Sequence, residues 1–332
     1  MTEALFVDAY LHPSLPTVWF GVVMFAVGMY VALDGFDFGI GMLYATRRDE
    51  HDRETLLAAF GPVWDANEVW LVAFGTTLLA AFPLVYSQLL SDNYLVAIGF
   101  VLALVLRGVS PELREQREAA RWRRLCDRLF VAGSTLAPLL LGLLVGNWVF
   151  ASGTLSLPSV LTAVGLLALS VTNGAAFLAA KTSGRLADEM RGYGVAGTAA
   201  YLGGVVVLLA VVVVTDAGGQ ADAVLSVPGV AVVALSVVAG VAGVLLARRG
   251  HDRRWFASTL ALSGLLVAFV AVLLYPTLYP PTGHTISDAV VSPLALNLTT
   301  VLGLPVLLVV LWYFKYLYGV FSGPIDADGY GA

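Results

Sequence analysis

Residues 17–44 read TVWFGVVMFAVGMYVALDGFDFGIGMLY, an apolar run that is long enough to cross a bilayer as one helix. A transmembrane helix needs about 20 mostly apolar residues. Of the 332 residues in the chain, 59% are hydrophobic and 12% are charged, and the mean hydropathy is +0.85. Soluble proteins average about 25% charged residues. The sequence therefore predicts a multi-pass protein of the cell membrane.

Eight further runs match the first in length and hydropathy. Together the nine predicted spans are 17–44, 57–80, 93–110, 129–148, 157–180, 194–215, 227–248, 255–275 and 295–318. Helices are predicted, because lipid offers no partner to an open strand edge, and the alternating pattern of a membrane barrel is absent. We expect an all-α fold with one membrane domain over residues 1–332.

Basic residues predict the orientation of the spans. Of the 18 Lys and Arg residues, 16 lie in the connections 45–56, 111–128, 181–193 and 248–254, and the alternate connections hold none. Because Lys and Arg concentrate on the cytoplasmic side, we expect the N-terminus outside and the C-terminus in the cytoplasm. The net charge of −5 says little about nucleic acid, because the basic residues face the cytoplasmic leaflet, and we expect no nucleic-acid partner.

Histidine and cysteine are too few and too peripheral to suggest a redox metal in this chain. The histidines are His12, His51, His251 and His284, all in connections or at helix ends, and the single cysteine is Cys126. A buried haem needs an axial His, Met or Cys thiolate. We expect this chain to bind no metal or cofactor, so that in an oxidoreductase a partner would carry the redox centres.

Two acids lie inside the first predicted span. Asp34 and Asp37 are three residues apart, which places them on one helix face. Asp37 is expected ~10 Å from the inner end of the span at 1.5 Å per residue. Intramembrane acids are costly and mark functional sites by default.

The second and third spans carry further polar residues at the same predicted depth. In the second span, Trp64, Asn67 and Glu68 are helical neighbours, and Asp65 is expected ~10 Å from the inner side. Arg107 ends the third span on that side. Two interpretations remain open: the acids and Arg107 pass protons, or they form ion pairs that fix helix register. The candidate residues are Asp34, Asp37, Asp65, Glu68 and Arg107.

These motifs resemble a known family. Residues 34–39 (DGFDFG), 61–70 (GPVWDANEVW), 80–86 (AAFPLVY) and 106–109 (LRGV) are similar to subunit II of the cytochrome bd-type quinol oxidases. The resemblance extends over essentially the whole chain. Where the family commonly has Gly between the Asp and the Asn of the second motif, this chain has Ala66.

The resemblance implies a fold of nine spans, arranged as two four-helix bundles plus a peripheral C-terminal helix. It implies a complex that oxidises quinol and reduces dioxygen to water, with protons taken from the cytoplasm. Subunit I would bind two b-type haems and one d-type haem, and this chain would be its haem-free partner. Quinol, membrane lipid and a small accessory single-helix subunit complete the implied partners.

Individual residues take roles from the same resemblance. Asp37 and Asp65 match acids held important for assembly or proton supply, and Trp64, Trp70 and Arg107 match positions near the subunit boundary, where Asn67 is also expected. Two alternatives remain, a secondary transporter and a purely structural assembly subunit. Paired broken helices in two repeat halves would support a transporter, and only the first half shows such a break, at Pro62.

Overall fold

Long α-helices make up most of the residues that the structure describes. This computed structural model describes residues 7–151, 153, 155–321, 323–326, 329 and 330. In chain order the helices are α1 (Leu15–Tyr44), α2 (Glu50–Phe60), α3 (Trp64–Ala81), α4 (Pro83–Asp92), α5 (Tyr94–Glu115), α6 (Ala120–Phe150), α7 (Leu157–Lys181), α8 (Gly184–Thr215), α9 (Ala221–Leu225), α10 (Val227–Arg248), α11 (Asp252–Leu274), α12 (Ile286–Ala289) and α13 (Pro293–Val320). A 3-10 turn covers Ala217–Gly219, and two short strands, β1 (Ile325–Asp326) and β2 (Gly329–Tyr330), pair antiparallel.

Eight helices within these described ranges are long and apolar enough to cross a membrane. They are α1, α5, α6, α7, α8, α10, α11 and α13. Their length matches what a helix needs to span a bilayer. Many of their Val and Leu side chains are exposed, which suits a surface in contact with lipid. The chain is therefore a helical, polytopic membrane protein.

The predicted second span is broken in the structure. The sequence predicted one span over 57–80, but α2 ends at Phe60 and α3 begins at Trp64. Pro62 lies in the break, where its ring removes a backbone N–H donor and disfavours a continuous helix. The break predicted at Pro62 is therefore present at residues 61–63, and the predicted span 57–80 is divided between two helices. The 18 residues of α3 fall outside the eight apolar helices, because polar side chains occupy its first two turns.

Other helices extend beyond their predicted bounds on the charged side. Helix α6 begins at Ala120 rather than 129, and α8 begins at Gly184 rather than 194. Both extensions are rich in charged side chains, which continue a helix without adding to its hydropathy. We call the end of the molecule where these extensions and α2 lie the basic end.

Helix α1 is the centre of the packing. It contacts α3, α6, α7 and α11, and its residues are buried through most of its length. It crosses α7 with Gly39 against Gly174, so closely that a Cβ on Gly39 would lie 2.7 Å from the Gly174 Cα. Small residues permit such close approach of membrane helices. The remaining long helices pack mainly in the pairs α5–α6, α7–α8 and α10–α11, while α13 lies at the edge against α3.

Charged side chains join several helices at the basic end. Asp127 of α6 accepts hydrogen bonds from the Tyr44 hydroxyl at 2.6 Å, from Arg114 Nε at 2.9 Å and from Arg53 Nη1 at 3.4 Å. These donors belong to α1, α5 and α2. Because hydrogen bonds to ionised groups are stronger than neutral ones, this cluster holds four helices in register.

At the opposite end, the segment 276–292 folds back over the helix termini. Trp148 Nε1 donates to the Leu278 carbonyl at 2.8 Å, and the Val291 amide donates to the Ala81 carbonyl at 2.9 Å. The Tyr279 hydroxyl donates to Asp92 Oδ2 at 2.6 Å. We call this segment the cover loop.

Candidate functional site

A buried ion pair lies between α1 and α5, towards the basic end. Arg107 Nη1 donates to Asp34 Oδ1 at 2.5 Å, and both side chains are fully buried. Arg107 Nη2 reaches Glu68 Oε2 of α3 at 3.5 Å, and the Glu68 side chain is 24% exposed. The structure thus brings three of the predicted site residues into one cluster that runs from the core to the surface.

Aromatic rings surround the Arg107 guanidinium. Its Cζ lies 4.7 Å from the Phe38 ring centroid, 5.7 Å from that of Phe60 and 6.0 Å from that of Trp64. Phe60 and Trp64 stack on each other at 5.6 Å between centroids and 6° between planes. Gly108 makes room for this stack, because a Cβ there would lie 2.8 Å from Trp64 Cζ3. The cation is therefore stabilised by ring faces as well as by carboxylates.

Asp37 belongs to a separate hydrogen-bonded chain. Its Oδ2 accepts from Asn67 Nδ2 at 2.8 Å, and Asn67 Oδ1 accepts from the Tyr318 hydroxyl of α13 at 2.6 Å. Asp37 and Asn67 are fully buried. The partner of Asp37 is thus a neutral amide, whereas the partner of Asp34 is a cation.

Asn67 and Trp70 are internal residues in this fold. Both side chains are fully buried, and the Trp70 ring lies 5.3 Å from Phe314 of α13 and 5.7 Å from Phe25 of α1. The sequence placed them at a subunit boundary, but α13 and α1 cover them within the chain. Trp64, expected at the same boundary, is only partly buried and packs on Phe60 and Gly108.

Asp65 does not join the buried acids. Its side chain is exposed, and it has no hydrogen bond or ion pair with any residue that the structure describes. Asn67 and Trp70 define the inward face of α3, and Asp65 projects from the other side together with Val69. Asp65 therefore stays apart from the Arg107–Asp34–Glu68 cluster with which the sequence grouped it. As the chain breaks at 61–63, Asp65 lies in the first turn of α3, where a carboxylate favours the helix N-terminus.

Several buried polar atoms of the site have no hydrogen-bond partner among the described residues. They include Asp37 Oδ1 and Arg107 Nε. Native proteins pair nearly all buried polar atoms, commonly with ordered water. Each of these atoms therefore keeps a donor or acceptor position that no described residue fills.

A cavity of about 710 Å³ opens beside the site at the basic end. Its wall includes the acids Glu54, Glu112 and Glu115 and the stacked rings of Phe60 and Trp64. Those two rings also contact the Arg107 guanidinium, so they form the partition between the cavity and the buried cluster.

Sequence analysis missed Tyr318, Phe60 and Tyr30. Tyr318 is 251 residues from Asn67 in the chain, so no local pattern connects them. A signal was nevertheless available, because the last span ends on the same side as the second begins, which gives the two residues similar depth. Within the described residues, no group of three or more His, Cys, Asp or Glu side chains could hold a metal ion.

Comparison with known proteins assigns the chain to a family. Residues 15–321 match the family model of the cytochrome bd terminal oxidase subunit II. The chain belongs to this family. The matched region of this cytochrome bd oxidase subunit II includes both the Arg107 cluster and Asp37, Asn67 and Tyr318.

Relatives of this subunit II come from several bacteria. It is 33% identical to the cytochrome bd ubiquinol oxidase subunit 2 of Bacillus subtilis, over 54% of this chain and 57% of that protein. It is 34% identical to the cytochrome bd-I ubiquinol oxidase subunit 2 of Escherichia coli K12, over 41% of this chain and 36% of that protein. The chain thus matches less than two thirds of the length of either relative.

One solved structure shares the fold over nearly the full length. A chain of the bd oxidase from Geobacillus thermodenitrificans superposes with a TM-score of 0.76 at 17% identity, covering 92% of this chain and 98% of that one. A probable cytochrome oxidase subunit 2 of Haemophilus influenzae is 25% identical over 93% of this chain and 94% of its own length.

Proposed function

We propose that this subunit II is the haem-free partner of a haem-bearing subunit I, in a complex that oxidises quinol and reduces dioxygen to water. Support comes from the family match over residues 15–321 and from relatives named as ubiquinol oxidase subunits. The four histidines lie in connections or near helix ends, away from the middle of the spans. Two b-type haems and one d-type haem would then belong to subunit I, with quinol as the substrate and a small single-helix subunit as a further partner.

The proposed topology has nine spans in one membrane domain over residues 1–332. It counts α3 as a span beside the eight apolar helices. The first four-helix bundle would be α1, α3, α5 and α6, the second α7, α8, α10 and α11, and α13 would be peripheral. The basic end would face the cytoplasm, in keeping with the distribution of Lys and Arg, and the N-terminus would lie outside.

We further propose that the site takes up protons from the cytoplasm. The observation that carries this proposal is Glu68, which contacts Arg107 while 24% of its side chain remains exposed. The cavity at the basic end is lined by Phe60 and Trp64, and the same two rings contact Arg107. A carboxylate that is partly exposed and also contacts a buried cation can accept a proton and pass it on.

A purely structural role is the second candidate. The Arg107–Asp34 pair is fully buried, and breaking such a pair is strongly destabilising whether or not protons pass. A secondary transporter would call for broken helices in both halves. Among the described helices, the break at residues 61–63 falls in the first half, and α7, α8, α10 and α11 run unbroken through the second.

The test is Glu68→Gln in the complex purified with its partner, with Glu118→Gln as the control at an exposed position of the basic end. Loss of a proton-accepting carboxylate should lower oxygen consumption at least about tenfold, while haem content stays at the wild-type level. A parallel fall of haem content and activity would assign a structural role. Purification of the wild-type chain without any haem-bearing partner would contradict the oxidase assignment itself.

A further inference from the structure

Charge balance around Asp37 differs from that around Asp34. The charged groups that face Asp37 are Asp34 on its own helix, Glu68 on α3 and Arg107 on α5. Arg107 is the only cation of this set, and its hydrogen bonds go to Asp34 and Glu68. The hydrogen-bond partner of Asp37 is the Asn67 amide. Three carboxyl groups thus share one guanidinium, and Asp37 is the one without direct contact to it.

An ionised Asp37 would be a second negative charge in a fully buried position. Burial of a charge without a paired counter-ion is strongly unfavourable, and the group takes up a proton instead. The cost of a buried, unpaired charge is smaller for Glu68, because its side chain is partly exposed, and for Asp34, because it contacts Arg107 at 2.5 Å. The neutral form of Asp37 is therefore the form that this geometry stabilises.

We propose that Asp37 holds a proton in the resting protein, and that Tyr318 is a positioning residue that orients the Asn67 amide towards it. This inference rests on the proposed proton-uptake function. The Tyr318 hydroxyl donates to Asn67 Oδ1, which leaves Asn67 Nδ2 to donate to Asp37 Oδ2. The remaining oxygen, Asp37 Oδ1, has no partner among the described residues and carries the proton.

The arrangement lets one proton advance without a change of net charge. When one proton moves from Asp37 to the Glu68 carboxylate, Asp37 becomes a carboxylate and Glu68 becomes neutral. The four groups Asp34, Asp37, Glu68 and Arg107 then carry the same total charge as before. Asn67 and Tyr318 keep their hydrogen bonds and do not ionise, so their role is to fix the geometry of Asp37.

The protonation state of Asp37 can be read by infrared difference spectroscopy on the purified complex. A protonated carboxyl gives a C=O stretching band that a carboxylate lacks. We expect such a band at neutral pH in the wild type and in the exposed control Asp222→Asn, and its loss in Asp37→Asn. A band that survives in Asp37→Asn, or the absence of any such band in the wild type, would overturn the proposal. This readout does not depend on turnover.

The role of Tyr318 is tested by Tyr318→Phe against Tyr316→Phe, which lies on the same helix with 61% of its side chain exposed. Without its donor, the Asn67 amide can turn its oxygen towards Asp37 and favour the protonated form. We expect the infrared band to persist to higher pH in Tyr318→Phe and turnover to fall about three- to tenfold, the size of one lost hydrogen bond.

Failure of this inference and failure of the proposed function give different results. If Tyr318→Phe and Tyr316→Phe give the same pH dependence, Tyr318 does not position the acid and the inference fails. If the wild-type complex contains no haem-bearing partner or consumes no oxygen, the oxidase proposal fails, whatever the infrared spectra of Asp37 show.

Discussion

Arg107 is a permanently charged side chain in a position with no solvent exposure. Its planar guanidinium offers five donors and two flat faces, which suits simultaneous contact with carboxylates and rings. In this chain the donors meet Asp34 and Glu68, and the faces meet Phe38, Phe60 and Trp64. A lysine at this position could supply the positive charge. Its ammonium group could not contact both carboxylates through a planar fork of donors or stack on the aromatic rings.

We expect Arg107→Leu to destabilise the protein by about 3–5 kcal/mol, because it leaves Asp34 buried without its cation. The measurement is thermal unfolding in detergent, with Arg124→Leu at an exposed position of the same end as the control. Adding Asp34→Asn to Arg107→Leu should restore part of the loss, since the uncompensated charge is then removed. Equal melting temperatures for Arg107→Leu and Arg124→Leu would contradict a stabilising ion pair.

For single residues, the sequence predicted which types of side chain meet at the site better than it predicted which side chains pair with each other. The spacing of Asp34 and Asp37, and the depth of Arg107, predicted that acids and a cation meet at one end. The structure gives Asp37 an amide partner instead of the cation, and it turns Asp65 outward. Such differences depend on helix rotation, which a three-residue spacing does not define.

Among the elements, α1 depends most on close packing. Its crossing with α7 brings the Gly39 and Gly174 backbones together, and a Cβ on Gly174 would lie 2.6 Å from the Gly39 Cα. Neither backbone can move aside as a flexible side chain would. The crossing therefore sets the distance between these two helices.

We expect Gly39→Ala to destabilise the protein by about 1–3 kcal/mol through overpacking. The matched control is Gly21→Ala on the same helix, where nothing lies within 4 Å of the added Cβ. There the change should stabilise the helix by about 0.5–1 kcal/mol, because alanine restricts the unfolded chain. Both are read from thermal unfolding in detergent, and a tolerated Gly39→Ala would show that the helices are less tightly apposed.

The positions of the apolar spans were more predictable from sequence than their ends, and eight of the nine predicted runs correspond to described helices that are long and apolar enough to cross a membrane. Apolar runs mark spans reliably, because lipid requires them. Hydropathy could not show the break between α2 and α3, since apolar residues lie on both sides of Pro62. It also could not show the charged turns by which α6 and α8 extend past the apolar region.

On the scale of the whole molecule, the cover loop joins elements that are distant in the chain. It contacts the ends of α3, α4 and α6 through the Val291 amide, Tyr279 and the Leu278 carbonyl. Burial raises the pKa of Tyr279, and its hydrogen bond to Asp92 raises it further. Hydrogen bonds from the Thr285 hydroxyl and amide lower the pKa of Asp288, which caps the short helix α12.

We expect the cover loop to be most protected between about pH 4 and pH 10, the unfolded-state pKa values of Asp and Tyr. The Tyr279 contribution is complete below the unfolded value and is lost as the pH rises through its higher folded pKa. The Asp288 contribution is present above the unfolded value and is lost as the pH falls through its lower folded pKa. Limited proteolysis across the pH range measures both limits.

Two variants assign these limits to the two residues. Tyr279→Phe should abolish the alkaline change and leave the acid change, and Asp288→Asn should do the reverse. Cleavage of the cover loop that is independent of pH in the wild type would show that neither group contributes.

The contact between Gly39 and Gly174 has a mechanical consequence. Side chains at an interface can adjust by changing rotamer, but two backbones in direct contact cannot adjust in this way. If the two helices move relative to each other, we expect them to rotate about this contact, so that displacements increase towards both ends of the helices.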